Sequence, residues 1–449
     1  MTRSHHSPDI IFIKRILKVY LRIELRLCAL NHTRWIHTRL ENDYIIGHFL
    51  STNDSFTEMF TFIFAANRYM YENDVVTETS KEQVYAERRE IVRRNCELLN
   101  RSIQNEYTSK SFLIEKKHNI LYCPITKVGS SFWKKALTFM SNENPKKSMF
   151  DVKYGQFNLT PLSKLSQKQK QDLKTNGTSL LFIRDPYGRL LSGYVNKIYH
   201  CNTMYWKSTG HAVVKYTRNS TDPRYSKYGF DVSFPEFVSY VLHTMDNQLR
   251  LDRHFSPMHK TCDPCANEFQ YIGKIETFRN DVEFLFDKWG REFDDFNIKF
   301  SDFVAETAIN TATGHVRFLF VTKRILDEIT YPFKNLMLRT WRDLQMRGYI
   351  SKYIPFPYTN YEHVDDVTSE EYLVQIKQGL DATTDRYAAK AQREEALIQA
   401  YRGVPMEDME RLRQFVLQDC QLFGFDDRPS ILFDRSSPID EHFLYLDGL

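Results

Sequence analysis

The chain has 449 residues, 42% of them hydrophobic and 26% charged, a balance that supports a folded globular protein and excludes disorder as the default. Lysine and arginine number 61 against 57 acidic residues, and a net charge of +4 is too small for this length to argue a general nucleic-acid role. Length alone leaves open two or three domains, or one large α/β domain with extensions.

Seven cysteines are spread along the chain, so a fully oxidised monomer keeps at least one unpaired. Cys262 and Cys265 form the one close pair. No second Cys/His pair at zinc-finger spacing accompanies them, and a disulfide is the expected use if the chain is luminal. Asn-x-Ser/Thr sequons at Asn31, Asn53, Asn100, Asn158, Asn176 and Asn219 are compatible with the secretory route.

In chain order, the segment from Asp9 to Leu30 is apolar but interrupted by Lys14, Arg15, Lys18, Arg22, Glu24 and Arg26, charges that are costly inside a bilayer. It reads as a basic amphipathic helix, either packed on the protein or associated with a membrane interface. The apolar patch Met59 to Ala66 is too short to span, and no run of 18 or more apolar residues is present. Residues 1–80 are therefore expected to form a stem or accessory region. From Lys81 to Leu99 the pattern is helical and carries Arg88, Arg89, Arg93 and Arg94, a basic face for solvent or for a polyanion.

The next stretch organises the rest. Ile120 to Ile125 has the length and bounding residues of a buried strand, and a turn follows with Lys127, Gly129, Ser130 and Ser131. Phe132, Trp133, Ala136, Leu137 and Met140 then recur at helical spacing. A strand, a small-residue loop and a helix make an anion-binding device, because the first helical N–H groups are unpaired and lie at the positive end of the helix dipole. The lysine precedes the only glycine, so this is not a Walker A loop.

After a polar linker from Ser141 to Asn158, Leu159 to Leu173 is expected to hold a short helix, and Leu180 to Ile183 a second buried strand. That strand delivers Arg184-Asp185-Pro186-Tyr187-Gly188-Arg189-Leu190-Leu191-Ser192-Gly193-Tyr194, with Lys197 one turn later. Pro186 suits a first helical turn, which places Arg184 at the strand's carboxyl end, where open α/β sheets bind ligands.

Together these two blocks resemble the 5′-phosphosulfate loop and the 3′-phosphate motif of Golgi carbohydrate sulfotransferases that use 3′-phosphoadenosine 5′-phosphosulfate. A third block agrees: His254-Phe255-Ser256-Pro257, then Cys262 and Cys265, then Phe269 to Thr277 with Asp281. It is similar to the subgroup that includes the human natural killer epitope, chondroitin 4-O- and dermatan 4-O-sulfotransferases. Arg88 to Cys96 and Asp419-x-x-x-Phe423-Gly424-Phe425 fit the same subgroup. Thr126 and Ser130 depart from it, standing where the subgroup often has proline and cysteine.

The resemblance implies a P-loop-like parallel α/β sheet flanked by helices, with N- and C-terminal helical extensions. It implies a sulfotransferase domain over residues 81–430; within it, 300–395 align with nothing in the family and read as an insertion or acceptor-side cap, and 431–449 read as a tail. The implied activity is sulfuryl transfer to a sugar hydroxyl in the Golgi lumen, on an anionic glycan or glycosaminoglycan. Lys127 is assigned to the bridging oxygen and the 5′-phosphate, and Gly129, Ser130 and Ser131 to the 5′-phosphate. Arg184 and Ser192 are assigned to the 3′-phosphate, and Arg189 to support of the motif. Trp133 either stacks on adenine or packs in the core. His254 is the expected general base and Glu276 its reserve, since histidine titrates near neutral pH. This chemistry requires no metal, and the sequence presents no ligand cluster. A catalytically silent glycan-binding relative is the alternative, and a P-loop kinase is disfavoured by the missing Walker A order.

Overall fold

The computed structural model describes residues 37–39, 45–47, 78–101, 111–142, 148–218, 228–294, 296–326, 331–436 and 438–448. Residues 1–76 and 77–449 are separate units. In the first, β1 (His37–Arg39) and β2 (Ile45–Gly47) pair antiparallel, with His37 opposite Gly47. The basic segment 9–30, the apolar patch 59–66 and the sequons at 31, 53 and 219 lie outside the described residues. No helix among the described residues is long and apolar enough to cross a membrane.

The second unit begins with α1 (Glu78–Leu98) and continues through β3 (Leu113–Glu115), β4 (Ile120–Cys123) and α2 (Ser130–Met140). β4 stops two residues earlier than expected because Pro124 has no N–H to give a neighbouring strand. Thr160–Pro161 forms a two-residue β5, and α3 (Gln167–Asn176) starts later than the expected helix, at a capping box between Ser166 and Gln169. β6 (Thr178–Ile183) then leads into α4 (Pro186–Tyr194), with Asp185 as its cap and Pro186 in the first turn. A π-helical turn, Val195–Tyr199, extends α4.

The sheet order is β5-β3-β4-β6, and β7 (Tyr271–Lys274) completes it beside β6. β4, β6 and β7 run parallel, Cys123 lying opposite Leu181 and Ile183 opposite Lys274. β3 pairs antiparallel with both β4 and β5, so the sheet is mixed rather than purely parallel. Four residues separate β3 from β4, and a link that short joins only antiparallel strands. Leu180 to Ile183 are buried on both faces, as a parallel strand covered by helices requires.

Beyond β6 the chain adds α5 (His211–Thr217) and α6 (Phe234–Asp246). After β7 it adds α7 (Phe278–Phe293), α8 (Phe303–Leu326), α9 (Phe333–Met346), α10 (Ser369–Asp381), α11 (Arg386–Arg402), α12 (Met406–Phe423) and α13 (Ser430–Phe433). Three apolar cores result among the described residues. One lies around the sheet with α2 and α7, one joins α4, α6, α11 and α12, and one joins α8, α9 and α10 to Trp206, Tyr228 and Phe230. The 300–395 segment is thus packed against the chain that follows α4. Fully buried Arg339 on α9 donates to the carbonyls of Tyr199 (3.1 Å), Phe230 (2.8 Å) and Gly448 (2.6 Å). The last residues are fastened by the same arginine and by Tyr199, whose hydroxyl donates to Asp447 O at 2.5 Å.

Part of the basic face of α1 is spent on the domain itself. Arg88 is buried, pairs with Asp281 at 2.9 Å and donates to Ile272 O at 2.9 Å, while Arg93 pairs with Glu90 and Glu97 of its own helix.

Cys262 and Cys265 are not joined to each other. Asp263 Oδ1 accepts from the Cys265 amide in a tight turn, and the disulfides are Cys96–Cys265 and Cys123–Cys262, spanning 169 and 139 residues. The second one anchors β4 immediately before the Lys127 loop. Closing loops this long restricts the unfolded chain by about 5 kcal/mol each in the chain-entropy treatment. A Cys123→Ser, Cys262→Ser double variant is expected to melt roughly 5–10 °C lower. An unchanged melting midpoint in calorimetry would remove that bridge from the account of stability.

Candidate active site

The turn after β4 is built from unusual backbone. Lys127 has φ +70° and Gly129 φ +80°, both left-handed. A lysine held there carries strain of about 1–3 kcal/mol, of the kind that persists where surrounding packing over-determines a functional loop. Gly129 has no substitute, since a Cβ would also lie 2.8 Å from the Phe278 ring. α2 then opens at Ser130 with no side-chain cap and no acidic residue in its first turn. Its first N–H groups therefore remain available to an anion. Ser130 is half-buried and Ser131 exposed beside them. Trp133 is fully buried among Tyr122, Phe182, Phe286 and Trp289. Its ring belongs to the core, and the adenine-stacking alternative is corrected accordingly.

The carboxyl end of β6 lies next to this turn and presents Arg184. Its guanidinium makes no hydrogen bond or ion pair among the described residues, and burial brings it down to about 10 despite the nearby Glu276 carboxylate. Asp185 accepts from the Gly188 amide at 2.6 Å, and burial pushes its carboxyl up to about 6. Glu276 Oε1 accepts from the Asp185 amide at 2.9 Å, which gives the reserve base a structural role at the strand end. Ser192 is half-buried on α4.

Arg189 stitches the site together. It donates to Thr126 O (3.0 Å), Ser256 O (2.7 Å) and Arg253 O (3.1 Å), tying the Lys127 turn to the His254 segment. The contact is close: a Cβ on Gly193 would lie 2.8 Å from His254 O. Asp419 on α12 holds the far side of the same segment, accepting from the amides of Met258 (2.6 Å) and His259 (2.9 Å).

His254 is half-buried, with Nδ1 2.7 Å from Asp252 Oδ1 and 2.8 Å from the Tyr205 hydroxyl. This leaves Nε2 for a substrate proton. Burial lowers the imidazole from its ordinary value, the Asp252 hydrogen bond raises it, and Lys197 and Lys127 lower it again. Burial alone would raise the Asp252 carboxyl, but the hydrogen bonds from His254 and Tyr205 bring it down to about 2. Lys197 lies over the Tyr205 ring, 4.7 Å from its centroid. Asp252 and Tyr205 were not singled out by sequence reasoning, although Asp252-x-His254 is a local spacing that could have drawn attention.

Lys127 makes no side-chain hydrogen bond or ion pair among the described residues. Burial depresses its ammonium well below the usual lysine range, and the cations Arg347, Lys197 and Arg184 depress it further while Asp343 opposes them. Arg347 and Asp343 come from the 300–395 segment, and no motif announced them. Asp343 also joins His200 and His315, whose ligand atoms lie within 4.8 Å of one another with its own. That cluster is one the sequence did not present.

A cluster of unpartnered cations around the free amides of a helix start can hold a multiply charged anion, and a histidine with an orienting carboxylate can take a proton beside it. A family model described as "Sulfotransferase family" matches residues 110–331. The chain is 28% identical over 215 residues to carbohydrate sulfotransferase 8 of Mus musculus, covering 46% of this chain and 51% of that protein. It is 28% identical over 256 residues to carbohydrate sulfotransferase 9 of Homo sapiens, covering 56% and 54%. With carbohydrate sulfotransferase 14 of Danio rerio the identity is 27% over 191 residues, covering 42% and 50%. The chain spans about half the length of the curated relatives it matches. No solved structure matches it significantly. The five-stranded mixed sheet and its flanking helices fit the α/β fold of the sulfotransferases, and residues 110–331 match that family.

Proposed function

We propose that this chain is a carbohydrate O-sulfotransferase that moves the sulfuryl group of 3′-phosphoadenosine 5′-phosphosulfate to a sugar hydroxyl of an anionic glycan or glycosaminoglycan. The observation that carries the reading is the Lys127 turn and Arg184 at adjacent strand ends, with the Asp252–His254 pair tied to them through Arg189. The acceptor oxygen attacks sulfur as the bond from sulfur to the 5′-phosphate oxygen breaks, and the acceptor proton passes to His254 Nε2. Lys127 and the α2 amides stabilise charge building on the departing phosphate. Gly129, Ser130 and Ser131 line the 5′-phosphate, and Arg184 with Ser192 takes the 3′-phosphate, the arginine through its bidentate fork. Exposed Arg253 and half-buried Lys134 and Lys197 add positive charge on the His254 side, which favours an anionic acceptor. The two disulfides and the exposed sequon asparagines 100, 158 and 176 support an oxidising secretory compartment, consistent with the Golgi lumen.

Calorimetry with adenosine 3′,5′-bisphosphate tests the donor site. Wild type is expected to bind, and Arg184→Ala to bind about 10- to 100-fold more weakly, the worth of a charge-assisted bidentate contact. Equal affinity in the two proteins would remove Arg184 from the site. Binding of a sulfated glycan without consumption of donor would favour the silent glycan-binding reading.

A further inference from the structure

The family match ends at residue 331, yet the chain beyond it packs back against the α4 segment. Arg347 follows α9, and its Nε donates to both Asp343 oxygens, at 2.9 and 3.0 Å. Its terminal nitrogens have no partner among the described residues, although the side chain is only half-buried and its counter-ion almost wholly so.

Both ends of the α4 segment hold this arginine in place. At the start, Tyr401 of α11 donates to Tyr187 O at 3.0 Å, and Arg393 of the same helix donates from Nε to Arg347 O at 2.8 Å. Gln392 of α11 donates to Gln345 O and Ile350 O, on either side of Arg347. At the finish, His200 directly follows the π-helical turn, and its ring centroid lies 4.4 Å from that of His315. His315 Nδ1 lies 2.9 Å from Asp343 Oδ2. The segment so bracketed carries Ser192 and Lys197 and begins two residues after Arg184. The charge of Arg347 acts on both Lys127 and Arg184, lowering each.

We propose that Arg347 is a phosphate-binding residue of the donor site, its free guanidinium nitrogens contacting the donor nucleotide between Lys127 and Arg184, and that Asp343 is its positioning residue. The inference rests on the sulfotransferase reading above. It gives residues beyond the matched domain a direct part in donor recognition.

The test is calorimetry on the full chain with three probes: adenosine 3′,5′-bisphosphate, adenosine 5′-phosphate and adenosine 3′-phosphate. Arg347→Ala is expected to weaken the bisphosphate about 10- to 100-fold, and Arg347→Lys less, since a point charge replaces a fork. Whichever monophosphate loses affinity in parallel identifies the phosphate that Arg347 holds. Asp343→Asn is expected to weaken the bisphosphate while keeping the arginine, with a milder loss than Arg347→Ala. Its circular dichroism and melting curve, compared with wild type, establish that the fold is retained. Wild-type affinity for the bisphosphate in Arg347→Ala, with or without a raised acceptor KM, overturns the proposal and leaves the donor reading standing. A wild-type protein that binds none of the probes overturns the donor reading itself, and this inference with it.

Discussion

Lys127→Ala is expected to lower turnover by about 10²- to 10³-fold in a folded protein, the range seen when a preorganised donor to developing charge is removed. The ammonium is held among Arg347, Lys197 and Arg184 with no partner of its own among the described residues, so its charge is least comfortable when no anion is present. Without donor, the folded state disfavours the charged form. Wild type should therefore gain stability as pH rises through the depressed lysine value and lose that gain when the bisphosphate binds. Lys127→Ala should show no such pH-dependent gain. Donor binding should also draw a proton onto Lys127 at alkaline pH, read by repeating calorimetry in buffers of different ionisation enthalpy. Unchanged turnover in Lys127→Ala would overturn the assignment of this turn to the reacting phosphate.

His254→Ala is expected to cost about 10²- to 10⁴-fold in kcat, the usual worth of a positioned general base, while binding the bisphosphate as wild type does. Lost donor binding would instead mark the histidine as structural. The pH profile adds a signed check. His254 titrates below its ordinary 6.5, with burial the largest cause, so the acid limb of wild-type kcat/KM should lie below that value. Asp252 raises the histidine, so Asp252→Asn should move the limb further down and lower kcat through lost orientation. Lys197 lowers it, so Lys197→Met should move the limb up. The Asp252 carboxyl, at about 2 against an ordinary 3.8, contributes stability that is present above about pH 4 and lost as pH falls through about 2. An acid limb that ignores both neighbours would mean that another group takes the proton.

What the sequence determined by itself is the local machinery. A short apolar run, Pro124, a lone Gly129 and a helical repeat are enough to specify strand, turn and helix, because each depends on neighbours a few residues away. The same holds for Arg184, Asp185 and Pro186, where strand end, cap and first helical turn are adjacent in the chain. His254 was legible through its block, and Asp252 lay two residues from it. Tertiary structure decided everything that depends on partners far apart in sequence. It placed Trp133 in the core, because four aromatic rings from other elements surround it. It committed Arg88 to Asp281, where the charge alone had also suited a surface role, and gave Arg189 three backbone carbonyls to bind. It sent Cys262 and Cys265 to different partners, since spacing constrains which cysteines are close but not which element each one faces. Above all, it brought Arg347 against α11 and onto Asp343, whose carboxylate also faces His315. No periodicity or motif encodes that approach, because the packing of helices distant in sequence creates it.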